Sequence, residues 1–216
     1  MSASLNSLTW KETAGRMVDW IITNWVEIVG FVAGAACVWL LVRGSIWNFP
    51  VGMINYVMFF VLFIGAGLYA DAGLQLVYFV LACLGWYWWL RGGDTHDGVE
   101  YSNPSRLGLA ACGVAVLVIA AIIQWLLHRY TNSTVAGWDA LTTAMSLVAQ
   151  FMLSRKWVAN WWLWIAVDLI YIPLYIHKGL WLTALLYVVF LIMCIAGLIE
   201  WRKAMKTPDQ TPSVFE

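Results

Sequence analysis

Charged side chains are what this sequence has least of: Asp, Glu, Lys and Arg make up 11% of its 216 residues, against about a quarter in soluble domains. That scarcity excludes an ordinary water-soluble globular protein, and a hydrophobic content of 62% with a mean hydropathy of +0.76 reads as a polytopic membrane protein. Twelve basic and twelve acidic residues cancel, which removes the electrostatic case for a nucleic-acid or strongly acidic partner. Cysteine is sparse too. Cys37, Cys83, Cys112 and Cys194 all fall inside apolar stretches, where they act as small hydrophobes rather than as bridge partners or zinc ligands, so no disulfide is expected.

The three histidines, His96, His128 and His177, are scattered at loops and span ends, whereas a membrane enzyme using a metal or acid-base chemistry would gather His, Asp and Glu in or beside its spans. Asp94-x-His96-Asp97 is the nearest approach to a metal motif, and a solvated loop accounts for it better. No catalytic residue, metal or cofactor is therefore expected. The chain has no G-x-x-x-x-G-K-[ST] loop, which excludes direct ATP drive within it, and its N-terminus lacks the basic start and small-residue cleavage site of a signal peptide.

What the sequence does have is long apolar runs. Seven candidate spans of about 20 residues lie near Trp25 to Val42, Phe49 to Tyr69, Gly73 to Leu90, Leu107 to Leu127, Ala136 to Leu153, Trp157 to Ile176 and Leu180 to Glu200. Residues 8–23 place Leu8, Met17, Val18, Ile21 and Ile22 among charges, the pattern of a short interfacial helix. Gly92 to Ser105 is the longest polar segment, and Pro208 and Pro212 mark a disordered C-terminal tail. Basic residues outside the spans are uneven: Lys11, Arg16, Arg129 and Lys178 on the side of the N-terminus, against Arg43, Arg91, Arg106, Arg155, Lys156, Arg202, Lys203 and Lys206 on the other. The positive-inside rule then places the N-terminus outside and the C-terminus in the cytoplasm.

Internal similarity adds an arrangement. Tyr69-x-x-x-Gly73 followed by Phe79, Gly85 and Trp89 recurs as Tyr175-x-x-x-Gly179 followed by Phe190, Gly197 and Trp201, at separations drifting from 106 to 112 residues. On the span map this pairs spans one to three (residues 25–91) with spans five to seven (136–202), leaving an N-terminal interfacial segment (1–24), a polar loop and linker span (92–135) and a tail (203–216). A shift of four helices preserves direction across the membrane, so the two three-helix repeats of this 3+1+3 arrangement should be parallel, as in SWEET-type transporters.

Trp161, Trp164 and Asp168 sit in the middle of the sixth span and share an arc of about 60° on an ideal helix, which Tyr171 and Tyr175 extend to about 80°. A carboxylate at that depth costs about 3 kcal/mol, so Asp168 should face protein or water and is a functional-site hypothesis by default. Aromatic faces beside a buried acceptor describe a pocket for a flat, polar, cationic molecule. Span three offers a second such face in Gln75, Tyr78, Phe79, Ala82, Trp86 and Trp89, over an arc of about 100°. Gln75 and Trp86 are about 16 Å apart along the helix, too far for one small ligand to bridge unaided. Trp86 and Trp89 adjoin Arg91, where tryptophan is also common as an interfacial anchor. Asn160 and Gln150 are further buried amides of second rank, and the sequence leaves Asn55 undecided. The bland alternatives are a helix–helix hydrogen bond for Asp168, packing for Tyr69, Tyr171 and Tyr175, and a simple kink at Pro173, although a kink one turn from Asp168 would also suit a hinge.

Gln75-x-x-Tyr78-Phe79, Gly85-Trp86-x-x-Trp89 and Trp161-x-x-Trp164-x-x-x-Asp168 together resemble the signature segments of the PnuC family of bacterial vitamin transporters, and the resemblance covers nearly the whole chain. It implies a SWEET-like facilitator of the bacterial inner membrane, often a homotrimer, that takes up nicotinamide riboside while a cytoplasmic kinase traps it by phosphorylation for NAD biosynthesis. It implies a binding site at Trp161, Trp164, Asp168, Gln75, Tyr78, Phe79, Trp86, Trp89 and Asn160. On that reading tryptophan holds the pyridinium ring by stacking and cation–π attraction of about 0.5–2 kcal/mol per contact, Asp168 accepts hydrogen bonds from ribose hydroxyls or the carboxamide, and Gln75 matches the carboxamide as donor and acceptor. A PnuC-like carrier of thiamine or riboflavin is the first alternative, and a membrane receptor or assembly protein without transport activity is the second. Asp168 is the one acid deep in a span, which favours passive transport but leaves coupling through its own protonation open.

Overall fold

The computed structural model describes residues 32–65, 69–91, 100–130, 136–177 and 181–206. The interfacial helix expected over 8–23, the start of the first span, the loop residues Asp94, His96 and Asp97, and the tail with Pro208 and Pro212 lie outside the described residues.

Among the described residues seven helices follow one another: α1 (Val32–Val42), α2 (Asn48–Gly65), α3 (Tyr69–Arg91), α4 (Arg106–Tyr130), α5 (Ala136–Ser154), α6 (Asn160–His177) and α7 (Trp181–Lys206). Segments within α3, α4 and α7 are long and apolar enough to cross a membrane by themselves. Large apolar side chains such as Leu117, Ile122 and Trp125 of α4 and Leu185 and Ile192 of α7 are exposed on the outside of the bundle, an arrangement that suits lipid rather than water.

The sixth helix begins at Asn160, three residues later than its apolar run. Lys156 has a φ of 50°, a left-handed conformation that costs a non-glycine residue about 1–2 kcal/mol and stops a right-handed helix. Trp157 then forms a β-bridge with Ser102, made by Ser102 N–H to the Lys156 carbonyl at 3.2 Å and Val158 N–H to the Ser102 carbonyl at 2.9 Å. The segment before α4 is thereby stitched to the turn between α5 and α6.

Neighbouring helices pair as α2 with α3, α4 with α5, and α6 with α7, while α5 joins α6 and also crosses to α3. The largest core cluster, with Phe49, Trp89, Trp161 and Trp201 at its centre, draws on α1, α2, α3 and α5 to α7, and α4 instead buries Val116 against Ala144, Val148 and Met152 of α5.

Several features recur at one fixed separation of 112 residues. Asn48 and Asn160 open α2 and α6. Asn48 Nδ2 donates to the Ser45 carbonyl at 2.6 Å, and Asn160 Nδ2 to the Trp157 carbonyl at 2.7 Å. Gly44 and Lys156 are the two described residues with positive φ, at 69° and 50°. Phe49 fills the space over Gly85 as Trp161 fills it over Gly197, and a Cβ at either glycine would overlap the ring.

Candidate functional site

Inside the bundle lies a cavity of about 470 Å³, to which every helix except α4 contributes, a size typical of small-molecule sites. Helix α6 supplies one wall. Its 3.6-residue period brings Trp161, Trp164, Asp168 and Tyr171 to the cavity together. Asp168 is 5% exposed and forms no ion pair within the described residues. The Cys194 thiol of α7 hydrogen-bonds to its carboxylate, and its Oδ2 has no hydrogen-bond partner among the described residues; nor have the indole N–H groups of Trp161 and Trp164. A buried polar group left unsatisfied costs about 1–3 kcal/mol, so this wall presents a carboxylate acceptor and two N–H donors that a polar ligand would satisfy.

The facing wall comes from α2 and α3. Tyr56 and Tyr78 stack at 5.6 Å with 20° between their planes, and Gln75 and Asn55 line the cavity beside them. The Tyr78 hydroxyl reaches across to Ser146 of α5. Tyr171 is held in place by a 2.9 Å hydrogen bond between its hydroxyl and that of Thr142. The arrangement is a slot with aromatic faces, amide and hydroxyl groups around it and a single carboxylate, suited to binding a flat polar molecule.

At the end where α3 and α7 finish, the cavity is closed by buried residues. Leu41, Leu153, Phe49 and Trp161 form its floor. Beneath them Trp89 and Trp201 lie 5.9 Å apart, and Trp201 stands edge-on to Trp161 at 5.3 Å. The Lys156 ammonium lies 4.5 Å from the Trp89 ring and 5.1 Å from that of Tyr101. Burial lowers the pKa of Lys156 to about 8, more than the Glu100 carboxylate raises it, and burial pushes the Tyr101 phenol up to about 12.

Five residues singled out in the sequence thus meet at one cavity: Gln75, Tyr78, Trp161, Trp164 and Asp168. Four do not line it. Phe79 is half-buried on a neighbouring part of α3, Trp86 is 38% exposed on its outer side, Trp89 is fully buried below the floor, and Asn160 closes the first turn of α6 with its amide. Sequence reasoning passed over Tyr56, Cys37, Ser146, Tyr187 and Cys194, all of which line the cavity. A signal for Tyr56 existed, because it stands 112 residues before Asp168 in the register that relates Phe49 to Trp161. Among the described residues no group of three or more His, Cys, Asp or Glu could hold a metal ion.

The family model described as nicotinamide mononucleotide transporter matches residues 24–203. Nicotinamide riboside transporter PnuC of Escherichia coli (strain K12) is 27% identical over 203 residues, covering 82% of this chain and 85% of its own. Riboflavin/roseoflavin transporter RibM of Streptomyces davaonensis is 30% identical over 182 residues, covering 82% of this chain and 84% of its own. The crystal structure of the vitamin B3 transporter PnuC superposes with a TM-score of 0.67 at 24% identity, covering 89% of this chain and 88% of that one.

Proposed function

The chain belongs to the nicotinamide mononucleotide transporter family, as a multi-pass membrane transporter and not an enzyme, and we propose that it takes up nicotinamide riboside through the cavity between its two halves. The observation that carries this reading is the juxtaposition of Asp168, with an unpartnered oxygen, and the Trp164 indole in a cavity of about 470 Å³. A pyridinium riboside brings a cation for the carboxylate, a flat ring for Trp164 and the Tyr56–Tyr78 pair, and hydroxyl and carboxamide groups for Gln75 and the indole N–H donors. Trp161 is packed over Gly197 and serves as the floor on which the ligand rests. A neutral isoalloxazine would leave Asp168 without a counter-charge, which sets the riboflavin alternative second despite the RibM relative.

The working arrangement is two parallel three-helix repeats, α1–α3 and α5–α7, with α4 as the linker, in the manner of SWEET transporters. The constant 112-residue register of helix starts, positive-φ turns and packed glycines supports it. Arg43, Arg91, Arg106, Arg155, Lys156, Arg202, Lys203 and Lys206 all fall at one end of the bundle, which supports a cytoplasmic C-terminus by the positive-inside rule in a bacterial inner membrane. The buried tryptophan layer then closes the cavity on the cytoplasmic side, and rocking of the repeats about it exchanges the substrate. Transport is facilitated diffusion by a homotrimer, with a cytoplasmic kinase trapping the riboside. Counterflow of labelled riboside into proteoliposomes without an ion gradient tests this. Accumulation driven by internal unlabelled riboside is expected, and strict dependence on a proton or sodium gradient would overturn facilitated diffusion.

A further inference from the structure

Between α3 and α4 the bundle leaves a furrow on its outer surface. Both helices pack on α5, but they do not pack on each other, so α5 forms the floor and the gap between the two walls is unfilled by the described residues. Leu81 of α3, Ala115 and Ile119 of α4, and Val148, Phe151 and Trp157 bound a volume of about 490 Å³ with no charged residue in its lining. This furrow is separate from the central cavity, since α5 turns Ser146 and Gln150 to the cavity and Val148 and Phe151 to the furrow. Along α4 it runs from Gly108 to Ile119, about 16 Å at 1.5 Å per residue. That is about half of a 30 Å hydrocarbon core, the depth of one leaflet.

The end of the furrow near Gly108 is basic. Phe151 stands edge-on to Trp157 at 5.9 Å and to Trp88 at 6.2 Å, and the Arg155 guanidinium lies 5.0 Å over the Trp88 ring. Arg106 opens α4 two residues before Gly108, and Arg91 closes α3. None of the three arginines forms an ion pair within the described residues. Arg43 over Trp39 and Arg202 over Trp162 repeat the arginine–tryptophan pairing at the same end of the bundle, which marks that level as the membrane–water interface.

We infer that this furrow is a binding site for an anionic phospholipid of the leaflet on the arginine side, one acyl chain lying on α5 between α3 and α4 and the headgroup phosphate meeting Arg155 and Arg106. The length of the furrow selects an acyl chain, and the guanidinium groups at its mouth, without an ion pair among the described residues, select negative charge. A second copy of the chain, with a net charge of zero, brings no excess of negative charge to those arginines, and a zwitterionic lipid would answer them with no net charge.

Native mass spectrometry of the full chain, released from neutral detergent with phosphatidylglycerol and phosphatidylcholine of identical acyl chains, tests this. Phosphatidylglycerol should be retained about tenfold more strongly. Arg106→Gln, at an exposed position, with Arg155→Gln, at a half-buried one, should bring it down to the phosphatidylcholine level. Ala111→Trp, at an exposed position of the furrow, should reduce retention of both lipids. Equal retention of the two lipids by the unaltered protein, or a preference untouched by the arginine changes, would overturn the proposal. So would an Ala111→Trp protein that changes its oligomeric state, which would make the furrow an interface between copies.

Discussion

Trp89 and Trp201 make the same bond in opposite directions. Trp89 Nε1 donates to the carbonyl of Leu153, at the end of α5, at 3.3 Å, and Trp201 Nε1 donates to the carbonyl of Leu41, at the end of α1, at 3.0 Å. Each tryptophan thus adds a second donor to a helix-terminal carbonyl that already accepts a backbone N–H, Lys156 on Leu153 and Gly44 on Leu41, both at 2.9 Å, and the two rings lie 5.9 Å apart. Buried hydrogen bonds of this kind contribute about 1 kcal/mol each, and the backbone donors keep both carbonyls satisfied when the indole is lost. Trp89→Phe and Trp201→Phe should each lower the melting temperature in detergent. Because the rings share a layer, the double variant should depart from the sum of the two effects. Unchanged melting in both single variants would show that the pair does not hold the two halves together.

Lys156 gives the fold a pH signature. Its pKa in the folded protein is about 8, below the ordinary value of 10.5, so between these values the unfolded chain binds more protons than the folded one and stability rises with pH. Below about pH 8 both states carry the charge and the folded state bears the full cost of its burial, at most about 3 kcal/mol at 1.36 kcal/mol per pKa unit. Tyr101, raised to about 12, acts in the opposite sense above about pH 10, where the unfolded phenol ionises first. The stability of the wild-type protein relative to Lys156→Met should therefore climb from pH 8 to pH 10. Parallel melting curves across that window would refute the assignment.

Gly197→Ala should damage binding more than Gly85→Ala does. Both alanines overlap a ring, Trp161 in the first case and Phe49 in the second, and overpacking of this kind costs about 1–3 kcal/mol of stability. The neighbour of Trp161 along the cavity wall is Trp164, and the Trp161 ring also stands edge-on to Trp201. Displacing it tilts the floor beneath Asp168. Ligand affinity measured beside melting temperature separates the two effects, and equal affinity in both alanine variants would remove Trp161 as the floor of the site.

Asp168→Asn keeps a hydrogen-bonding side chain of the same shape and removes the charge. Affinity for the cationic riboside should fall about tenfold, equivalent to about 1.4 kcal/mol, while affinity for uncharged riboflavin should hold or rise. A parallel loss for both ligands would mean that Asp168 serves the packing of α6 rather than a cation.

The helices and one wall of the site were legible in the sequence because they depend on local period and composition. Trp161, Trp164 and Asp168 fall on one face at three- and four-residue spacing, and a carboxylate in an apolar run has few places to go. Trp86 and Trp89 share a stripe with Gln75 and Tyr78, but the stripe is longer than the cavity, and only the packing of the other half against α3 decides where the cavity stops. The register between the halves was obscured by matching identical residues. Tyr69 and Gly73 align with Tyr175 and Gly179 at 106 residues, whereas the geometry equates the unlike pairs Gly44 with Lys156 and Phe49 with Trp161 at 112, the separation that Gly85 and Gly197 also keep. Tyr56 and Ser146 reach the site through that second register and through contacts between distant helices, neither of which leaves a local pattern.

Calorimetric titration of the purified protein and of Trp164→Ala with nicotinamide riboside, with riboflavin and thiamine as comparisons, tests the central claim most directly. The account predicts micromolar or tighter binding of the riboside to the unaltered protein, with at least a tenfold loss, about 1.4 kcal/mol, in the variant. No heat with the riboside but saturable heat with riboflavin or thiamine, or riboside binding indifferent to Trp164, would contradict it.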